Sequence, residues 1–426
     1  MQRAISVVLL VAAAILCAAT GAWGDEVPIP EPTAMAQRYY ESGVLLWVIS
    51  HLWALAVPAG ILLSGLSAKF RTWAQPPGRP WPAALAIYVV LYSAAAFVFE
   101  LPLSFYDGFV RPHAYGLSTE TTGQWFANSL KSLIATTPSL HPIRLPGIVL
   151  TFVFLLGFYS LLKWSPRRWW LWAGAYMLPF IALLMLIVPV VIAPMFNRLE
   201  PIRDPALEAE VLRLAERAGV EGSRVYRLDL SRSSTTLTAY VNGLLGAKHI
   251  VLGDTTIDAL DQRELMTVVG HELGHYVLGH RPELVLFLSG LLLATFFLVR
   301  ITGEWCIRRY NRRFRFDRAS DLASWPLMLV LMNFWLLVFA PAEMGFLRSR
   351  EREADRFALE ITRDNQAMAT AILKFEERNL YVPRGSWFPD LWRATHPSAA
   401  DRVEFANTYR PWESGQPLTY ARYITE

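Results

Sequence analysis

At 426 residues the chain is long enough for two or three domains, and 54% of its residues are apolar, with a mean hydropathy of +0.29. The formal net charge of +4 does not indicate a nucleic-acid-binding protein, because the arginines cluster beside apolar runs. The two cysteines, Cys17 and Cys306, exclude a disulfide framework and do not support a zinc site built on cysteines.

The first 24 residues form a separate segment, in which Arg3 precedes an apolar core and small residues lead to the acidic start at Asp25. This pattern fits a cleaved signal peptide or an uncleaved first membrane helix, and we favour the helix. Both interpretations place the residues that follow Asp25 on the outer side of the membrane.

Six further apolar runs follow, each of roughly the 20 residues that a helix needs to cross a bilayer. Six such runs in one chain disfavour the alternative, in which they are buried helices of a large soluble protein. With the N-terminal segment they predict a mainly α, polytopic membrane protein of about seven membrane helices. The runs are Val44–Ser64, Pro82–Leu103, Leu145–Leu162, Trp169–Met195, Leu284–Val299 and Trp325–Ala342.

The arginines and lysines of short loops indicate the orientation of these helices. Three cationic short loops are expected inside, because such loops are rarely carried across a membrane. An N-terminus that starts inside satisfies all three and places residues 196–281 and 343–426 outside. We therefore expect a multi-pass protein of the bacterial inner membrane with an extracytoplasmic catalytic domain. The three loops are 67–80, 163–170 and 300–318.

The chain is expected to contain an N-terminal membrane domain and a catalytic domain that a membrane hairpin interrupts. The predicted units are 1–24, the signal peptide or first helix; 25–197, the N-terminal membrane-helix domain; 198–281, the first catalytic segment; 282–342, the hairpin; and 343–426, the second catalytic segment.

The first catalytic segment predicts an amphipathic helix, a strand at "RVYRLDL" and then a strand pair. The pair lies in "LTAYVNGLLGAKHIVLG", with a turn at Asn242-Gly243 or at Gly246. Asp261 and Glu264 predict a capping box at the start of the next helix.

That helix carries the stretch "HELGH" at positions 271–275. His271 and His275 are four residues apart, which places both imidazoles on one helix face. A catalytic zinc site needs three protein ligands and leaves one position for water, and Glu272 lies where it can take a proton from that water. A structural helix with a polar face is the weaker alternative.

The third ligand must come from elsewhere. His249 and Asp254, in or beside the preceding strand, are possible candidates. His280 is about half a turn out of phase with His271 on an ideal helix, so we expect it at the membrane interface instead.

A later charged helix offers a better candidate. Glu351 and Asp355 are four residues apart and share one face, whereas Glu353 points away. A carboxylate ligand beside a second carboxylate that orients a metal-bound imidazole is a common pairing in metal sites. Taken alone, the same residues would fit a solvated helix face.

Several segments together resemble the integral-membrane zinc endopeptidases of the type I CAAX prenyl protease family. The resemblance extends to the order of the membrane runs, two of which separate the catalytic helix from the charged helix. The similar segments are "APMFNRLEPI", "TAYVNGLLGAKHIVLGDT", "HELGHYVLGH", "SREREADRFA" and "THPSAADRVEF".

The resemblance implies a gluzincin-type zinc domain with a small β-sheet and one Zn²⁺ per chain. It implies Glu351 as the third ligand, Asp355 as the carboxylate behind a ligand histidine, and His396 and Arg402 near the zinc. The chain departs from the family pattern at Thr236 and Thr238, where the family has His and Asn, and these positions concern substrate contacts rather than the zinc.

These observations predict a zinc-dependent metalloendopeptidase that hydrolyses peptide bonds of membrane-associated peptides or proteins. Glu272 is expected to be the general base, and His396 and Arg402 to stabilise the oxyanion. The backbone at Thr238, Ala239 and Tyr240 is expected to hold the peptide as an added strand.

Two other functions compete with this prediction. One is a membrane-protein quality-control protease of the heat-shock metalloprotease type, which has fewer membrane runs before its catalytic helix. The other is an inactive membrane scaffold or transporter. The expected partners are a peptide or protein substrate and membrane lipid, and no nucleic acid. His51 and Glu100 lie within membrane runs, where we expect them to line an intramembrane chamber.

Overall fold

The computed structural model describes residues 26–134, 147–187, 196, 198–244 and 247–425. The predicted N-terminal helix therefore lies outside the described residues, as do the ends of two predicted runs, at 145–146 and 188–195. The fold is mainly helical with a small mixed sheet, as the sequence predicts.

Six apolar helices coincide with the six predicted runs. Four of them, counted with their helical continuations, are long and apolar enough to cross a membrane, and two are shorter. The chain is therefore a multi-pass membrane protein. The six helices are α1 (Ala34–Leu63), α3 (Trp81–Phe105), α6 (Ile148–Trp164), α7 (Trp169–Ile187), α11 (His280–Phe314) and α12 (Trp325–Thr362).

Shorter helices lie between the membrane helices of this part. They are α2 (Leu66–Ala74), α4 (Arg111–Ala114), which continues α3 through a π-helical turn at Tyr106–Val110, and α5 (Thr122–Ile134).

Buried aromatic side chains form the core of the membrane part. Tyr88 of α3 and Tyr159 of α6 are fully buried, and each hydroxyl has a hydrogen-bond partner. The Tyr88 hydroxyl lies 2.8 Å from Ser67 Oγ, and the Tyr159 hydroxyl lies 3.1 Å from Ser324 Oγ. Because Ser67 also donates to the Ala323 carbonyl, these contacts attach α2, α3 and α6 to the start of α12.

The first catalytic segment forms a helix and a four-stranded sheet in the order β1-β2-β4-β3. β2 pairs parallel with β4, and β3 pairs antiparallel with β4, so β3 is an edge strand. Leu244 pairs with Ala247, which excludes the predicted turn at Asn242-Gly243, and the alternative position, Gly246, lies outside the described residues. The elements are β1 (Leu199–Pro201), α8 (Pro205–Arg217), β2 (Ser223–Leu228), β3 (Ala239–Leu244), β4 (Ala247–Gly253) and α9 (Asp254–Ala259).

α10 (Gln262–Val277) carries the HELGH motif, and the predicted capping box at its start is confirmed. α10 packs closely on α12 because two of its residues have no side chain. A Cβ at Gly274 would lie 3.2 Å from the Cα of Ala354, and one at Gly270 would lie 3.4 Å from the Cα of Ala358. Small residues on both helices therefore bring the two predicted ligand helices together.

Three helices complete the chain: α13 (Asn365–Asn379), α14 (Trp387–Arg393) and α15 (Ala399–Thr408). The segment before α1 packs against them, because the Val27 amide donates to Asn407 and Asn407 donates back to the Val27 carbonyl. On another part of the molecule Arg71 forms an ion pair with Asp321. The first contact attaches residue 27 to the catalytic domain. The second attaches the cationic short loop 67–80 to the turn before α12.

Candidate active site

Three side chains from α10 and α12 converge on one point. The ligand atoms of His271, His275 and Glu351 all lie within 4.8 Å of one another, the one such group found among the described residues. The two imidazole Nε2 atoms are 3.1 Å apart. Glu351 Oε2 lies 3.3 Å from His271 Nε2, and Glu351 Oε1 lies 3.4 Å from His275 Nε2. The structure thus brings the three predicted ligands together.

The chemistry of this group fits a divalent cation. Two nitrogen atoms and a carboxylate face each other, and the buried Glu351 Oε2 has no hydrogen bond of good geometry. Burial alone would lower the pKa of His271, but its hydrogen bonds to Asp355 and Glu351 outweigh burial and raise that pKa to about 10. The site therefore favours positive charge, as expected for a zinc site with nitrogen and oxygen ligands.

Neither of the other candidate ligands reaches this point. The His249 ring on β4 packs edge-on against Tyr226, with the ring centroids 4.9 Å apart. The Asp254 carboxylate accepts backbone hydrogen bonds from Leu230 and Ser231, at 3.0 and 2.9 Å, so it stabilises the loop after β2.

Asp355 lies behind His271, as predicted. Its Oδ1 accepts a hydrogen bond of 2.8 Å from His271 Nδ1, and only 1% of the residue is exposed. An ionised carboxylate only accepts hydrogen bonds, so Nδ1 carries a proton, and in the neutral imidazole that binds a cation Nε2 is the nitrogen with the lone pair.

Arg402 on α15 lines the same cavity as His271 and binds the Asp355 carboxylate. Its Nε and Nη2 donate to the two oxygens of Asp355, at 2.8 and 2.7 Å. Burial would lower the pKa of this guanidinium, but the Asp355 carboxylate reverses the effect and raises it. The sequence did not predict the contact with Asp355, because it does not show that α15 packs beside α12.

His280 lies behind His275 and is not part of the ligand group, as predicted. It is 5% exposed, and its Nδ1 lies 2.9 Å from His275 Nδ1. Its Nε2 lies 3.1 Å from Glu353 Oε2. The sequence did not predict these contacts, because α10 ends before Gly279, whose φ of 74° breaks the helix, and His280 begins α11.

His396 and Glu272 lie beside the ligand group. His396 Nε2 is 3.1 Å from Glu351 Oε2, and its Nδ1 is 2.8 Å from Thr395 Oγ1. The His396 side chain is 53% exposed, and Glu272 is half-buried. Both line the same cavity, so both can reach a substrate there.

The predicted peptide-binding backbone alternates in direction. Thr238 bonds towards β4, because its carbonyl accepts from the Gly253 amide at 2.9 Å. Alternate residues of an antiparallel ladder face the same partner, so Tyr240 also faces β4, whereas Ala239 and Val241 face the open edge. Arg281 donates to the outward Val241 carbonyl. Of the three predicted residues, Ala239 has its backbone groups directed at the open edge of the sheet.

A cavity of about 1890 Å³ joins the active site to the membrane helices. Its lining includes His271 and Glu272 and apolar side chains of α1, α7, α11 and α12. His51 lines the cavity as predicted, but Glu100 is not among its lining residues. The buried Glu376 of α13 also lines it, and burial raises the pKa of this carboxyl group to about 7.

Two family models match adjacent parts of the chain. Peptidase family M48 matches residues 201–410, and the CAAX prenyl protease N-terminal model, described as five membrane helices, matches residues 30–198. Together they span almost the whole of the chain from residue 30 to residue 410.

Similar proteins agree with these matches. A Bacillus subtilis protein named uncharacterized metalloprotease YhfN is 28% identical over 387 residues, covering 88% of this chain and 86% of that protein. CAAX prenyl protease 1 of Saccharomyces cerevisiae is 26% identical over 333 residues, covering 74% and 70%. The crystal structure of S. mikatae Ste24p has the same fold, with a TM-score of 0.70, 21% identity and 87% of each chain covered.

Proposed function

The chain belongs to peptidase family M48 and is a multi-pass membrane metalloendopeptidase, and from this we propose that one Zn²⁺ bound by His271, His275 and Glu351 is its catalytic centre. The observation that carries the proposal is the convergence of these three side chains at a cavity that His271 and Glu272 line. The heat-shock protease and scaffold alternatives are not favoured, because a CAAX protease membrane domain matches residues 30–198.

The residues around the proposed zinc site have different roles in peptide hydrolysis. His271, His275 and Glu351 would hold the Zn²⁺, which would supply Lewis-acid polarisation of the scissile carbonyl and a lowered pKa of a water molecule. Glu272 faces the cavity next to His271, so its carboxylate takes the proton of the attacking water and returns it to the leaving amine. His396, beside Glu351 and half-exposed to the cavity, donates a hydrogen bond to the developing oxyanion.

Arg402 acts through Asp355 rather than on the substrate. Its two hydrogen bonds to the buried carboxylate fix the position of Asp355, and Asp355 fixes the tautomer and orientation of His271. We therefore assign Arg402 and Asp355 as positioning residues.

The substrate is a peptide or protein that reaches the site from the membrane. Its scissile segment pairs with the outward backbone groups of Ala239 and Val241 at the edge of β3. The apolar part of the cavity, between the membrane helices, accommodates the apolar segment that precedes or follows the cleaved bond. Lipid surrounds the membrane helices, and neither the cavity nor the charge pattern suggests a nucleic-acid partner.

The catalytic domain is extracytoplasmic in a bacterial inner membrane. The charge of the short loops supports this orientation, and residue 27, on the outer side in both interpretations of the N-terminus, contacts α15. This location disfavours cytosolic prenylated tails as substrates. The proposed units keep the sequence boundaries, although those at 282 and 343 fall inside the continuous helices α11 and α12.

The purified protein in detergent tests the zinc site through two glutamate variants. Glu272→Gln removes the base but no ligand, so we expect about one zinc per chain and no peptidase activity. Glu351→Ala removes a ligand, so zinc content after dialysis should fall with activity. Glu404→Gln is the matched control, because Glu404 is exposed and pairs with Arg384. Full zinc content in Glu351→Ala would refute the ligand assignment.

A further inference from the structure

The second ligand histidine has its own chain of hydrogen-bonding groups. His275 Nδ1 lies 2.9 Å from His280 Nδ1, and His280 Nε2 lies 3.1 Å from Glu353 Oε2. His280 is buried, whereas 34% of the Glu353 side chain is exposed. The chain of contacts thus runs from the partly exposed Glu353 through the buried His280 to His275.

With His280 neutral, the order of donors and acceptors along this chain has one solution. The Glu353 carboxylate only accepts, so His280 Nε2 must carry a proton and donate. A neutral His280 then has a lone pair at Nδ1, which accepts from a proton on His275 Nδ1. His275 Nε2 is left unprotonated, and this is the atom that faces Glu351 and His271. The chain therefore fixes the tautomer in which His275 can bind a cation.

The arrangement matches the one behind His271, although its residues differ. His271 has a carboxylate in direct contact, and Arg402 anchors that carboxylate. His275 has an imidazole in contact and a carboxylate one step further away. Arg350 anchors this carboxylate at 3.3 Å, and it also bonds to Glu283 of α11 at 2.6 Å.

We propose that His280 and Glu353 are positioning residues, which hold His275 in its Nδ1-protonated tautomer with Nε2 directed at the zinc. Partners behind ligand histidines typically contribute about 10–100-fold to metal affinity or activity. The proposal rests on His275 being a zinc ligand, as in the proposed function. The contribution of His280 and Glu353 is thus measurable in zinc affinity without reference to activity.

The test measures Zn²⁺ affinity of the full-length protein by competition with a chromophoric chelator, and the absorption spectrum of the Co²⁺-substituted protein. His280→Phe and Glu353→Leu should each weaken Zn²⁺ binding by about 10–100-fold. Glu353→Gln keeps an oxygen that accepts from His280, so its affinity should stay within about threefold of the wild type and its Co²⁺ spectrum should be unchanged. The double variant His280→Phe/Glu353→Leu should bind no more weakly than His280→Phe, because both changes break one chain.

Two controls separate this inference from the others. His249→Phe makes the same substitution at a histidine that is outside the ligand group and packs against Tyr226, so it should leave Zn²⁺ affinity unchanged. Arg350 keeps Glu283 as a partner when Glu353 is replaced, so the Glu353→Leu variant should remain folded. Its thermal unfolding temperature checks this.

Each outcome bears on one proposal. Failure of the wild type to bind about one zinc, or full affinity in His275→Ala, would overturn the proposed ligand set. Tight zinc in the wild type together with wild-type affinity in His280→Phe and Glu353→Leu would overturn this inference alone. Equal losses in Glu353→Gln and Glu353→Leu would also overturn it, because charge rather than hydrogen-bond direction would then matter.

Discussion

Asp355→Asn changes one atom at the carboxylate that connects Arg402 to His271. Asp355 accepts three hydrogen bonds of 2.7–2.8 Å, one from His271 Nδ1 and two from Arg402. An asparagine oxygen in the place of Oδ1 can still accept from His271 and from Arg402 Nη2. Its amide nitrogen, in the place of Oδ2, then meets the Arg402 Nε–H group, so two donors face each other.

The magnitudes follow from these contacts. One hydrogen bond to a charged group, worth about 1.5–3 kcal/mol, is lost, and a buried charge loses its counter-ion. Removing a partner entirely from a buried ion pair costs about 3–5 kcal/mol, so Asp355→Asn, which keeps two bonds, should destabilise the protein by about 2–4 kcal/mol. His271 keeps its acceptor but not the negative charge, so Zn²⁺ affinity should fall by about 10–100-fold.

The assay compares Asp355→Asn with Glu351→Ala in one zinc titration, alongside thermal unfolding of each protein. Asp355→Asn should retain zinc at micromolar free metal and retain reduced activity, whereas Glu351→Ala should lose both. Arg402→Met should resemble Asp355→Asn, and the two changes combined should cost less than the sum of their separate effects. The reasoning is wrong if Asp355→Asn loses zinc as completely as Glu351→Ala, or if it leaves both affinity and unfolding temperature unchanged.

Three further predictions test orientation, substrate binding and a buried carboxyl group. A phosphatase reporter should be active after Glu426 and silent within Arg308–Arg315, and the reverse result would place the active site in the cytosol. Ala239→Pro removes an outward amide from β3 without breaking its bonds to β4, so kcat/KM for peptides should fall at unchanged zinc content, and unchanged kcat/KM would exclude strand pairing there. Burial raises the pKa of Glu376 from about 4.5 to about 7, so the folded state holds this proton more tightly and wild-type stability falls as pH rises across that interval. The unfolding temperature of Glu376→Gln relative to the wild type should therefore increase from pH 5 to pH 8, and a constant difference would contradict the assigned pKa.

Local patterns in the sequence predicted the elements that depend on local forces. Length and hydropathy locate the membrane helices, because crossing a bilayer requires a long apolar stretch whatever it packs against. The capping box of Asp261 and Glu264 is likewise a contact within four residues. Helical spacing places His271 and His275 on one face of α10. Glu351 was predicted from the family resemblance, and it meets the two histidines because α12 packs against α10.

The remaining site contacts depend on geometry that spacing does not encode. The phase of His280 could not be counted from His271, because the positive φ of Gly279 separates two helices. The strand residues around Ala239 alternate in direction, and a shift of one residue reverses which of them face a substrate. Arg402 lies 47 residues from Asp355 in sequence, and its bonds form only when α15 packs beside α12. A glycine after a catalytic helix, followed by a histidine, is the signal that would have identified His280.

The structure also explains why α10, with its HELGH motif, occurs in a multi-pass membrane protein. α12 is one helix of 38 residues that begins in the membrane and carries Glu351 and Asp355 near its end. α11 likewise begins at His280, beside the ligands, and continues as a membrane helix. The segment with the HELGH motif supplies two ligands, and the third and both carboxylates behind the histidines arrive on membrane helices. The proposed zinc site is therefore assembled by the packing of the membrane part, and the same packing forms the cavity that we propose as the route of a membrane-delivered peptide.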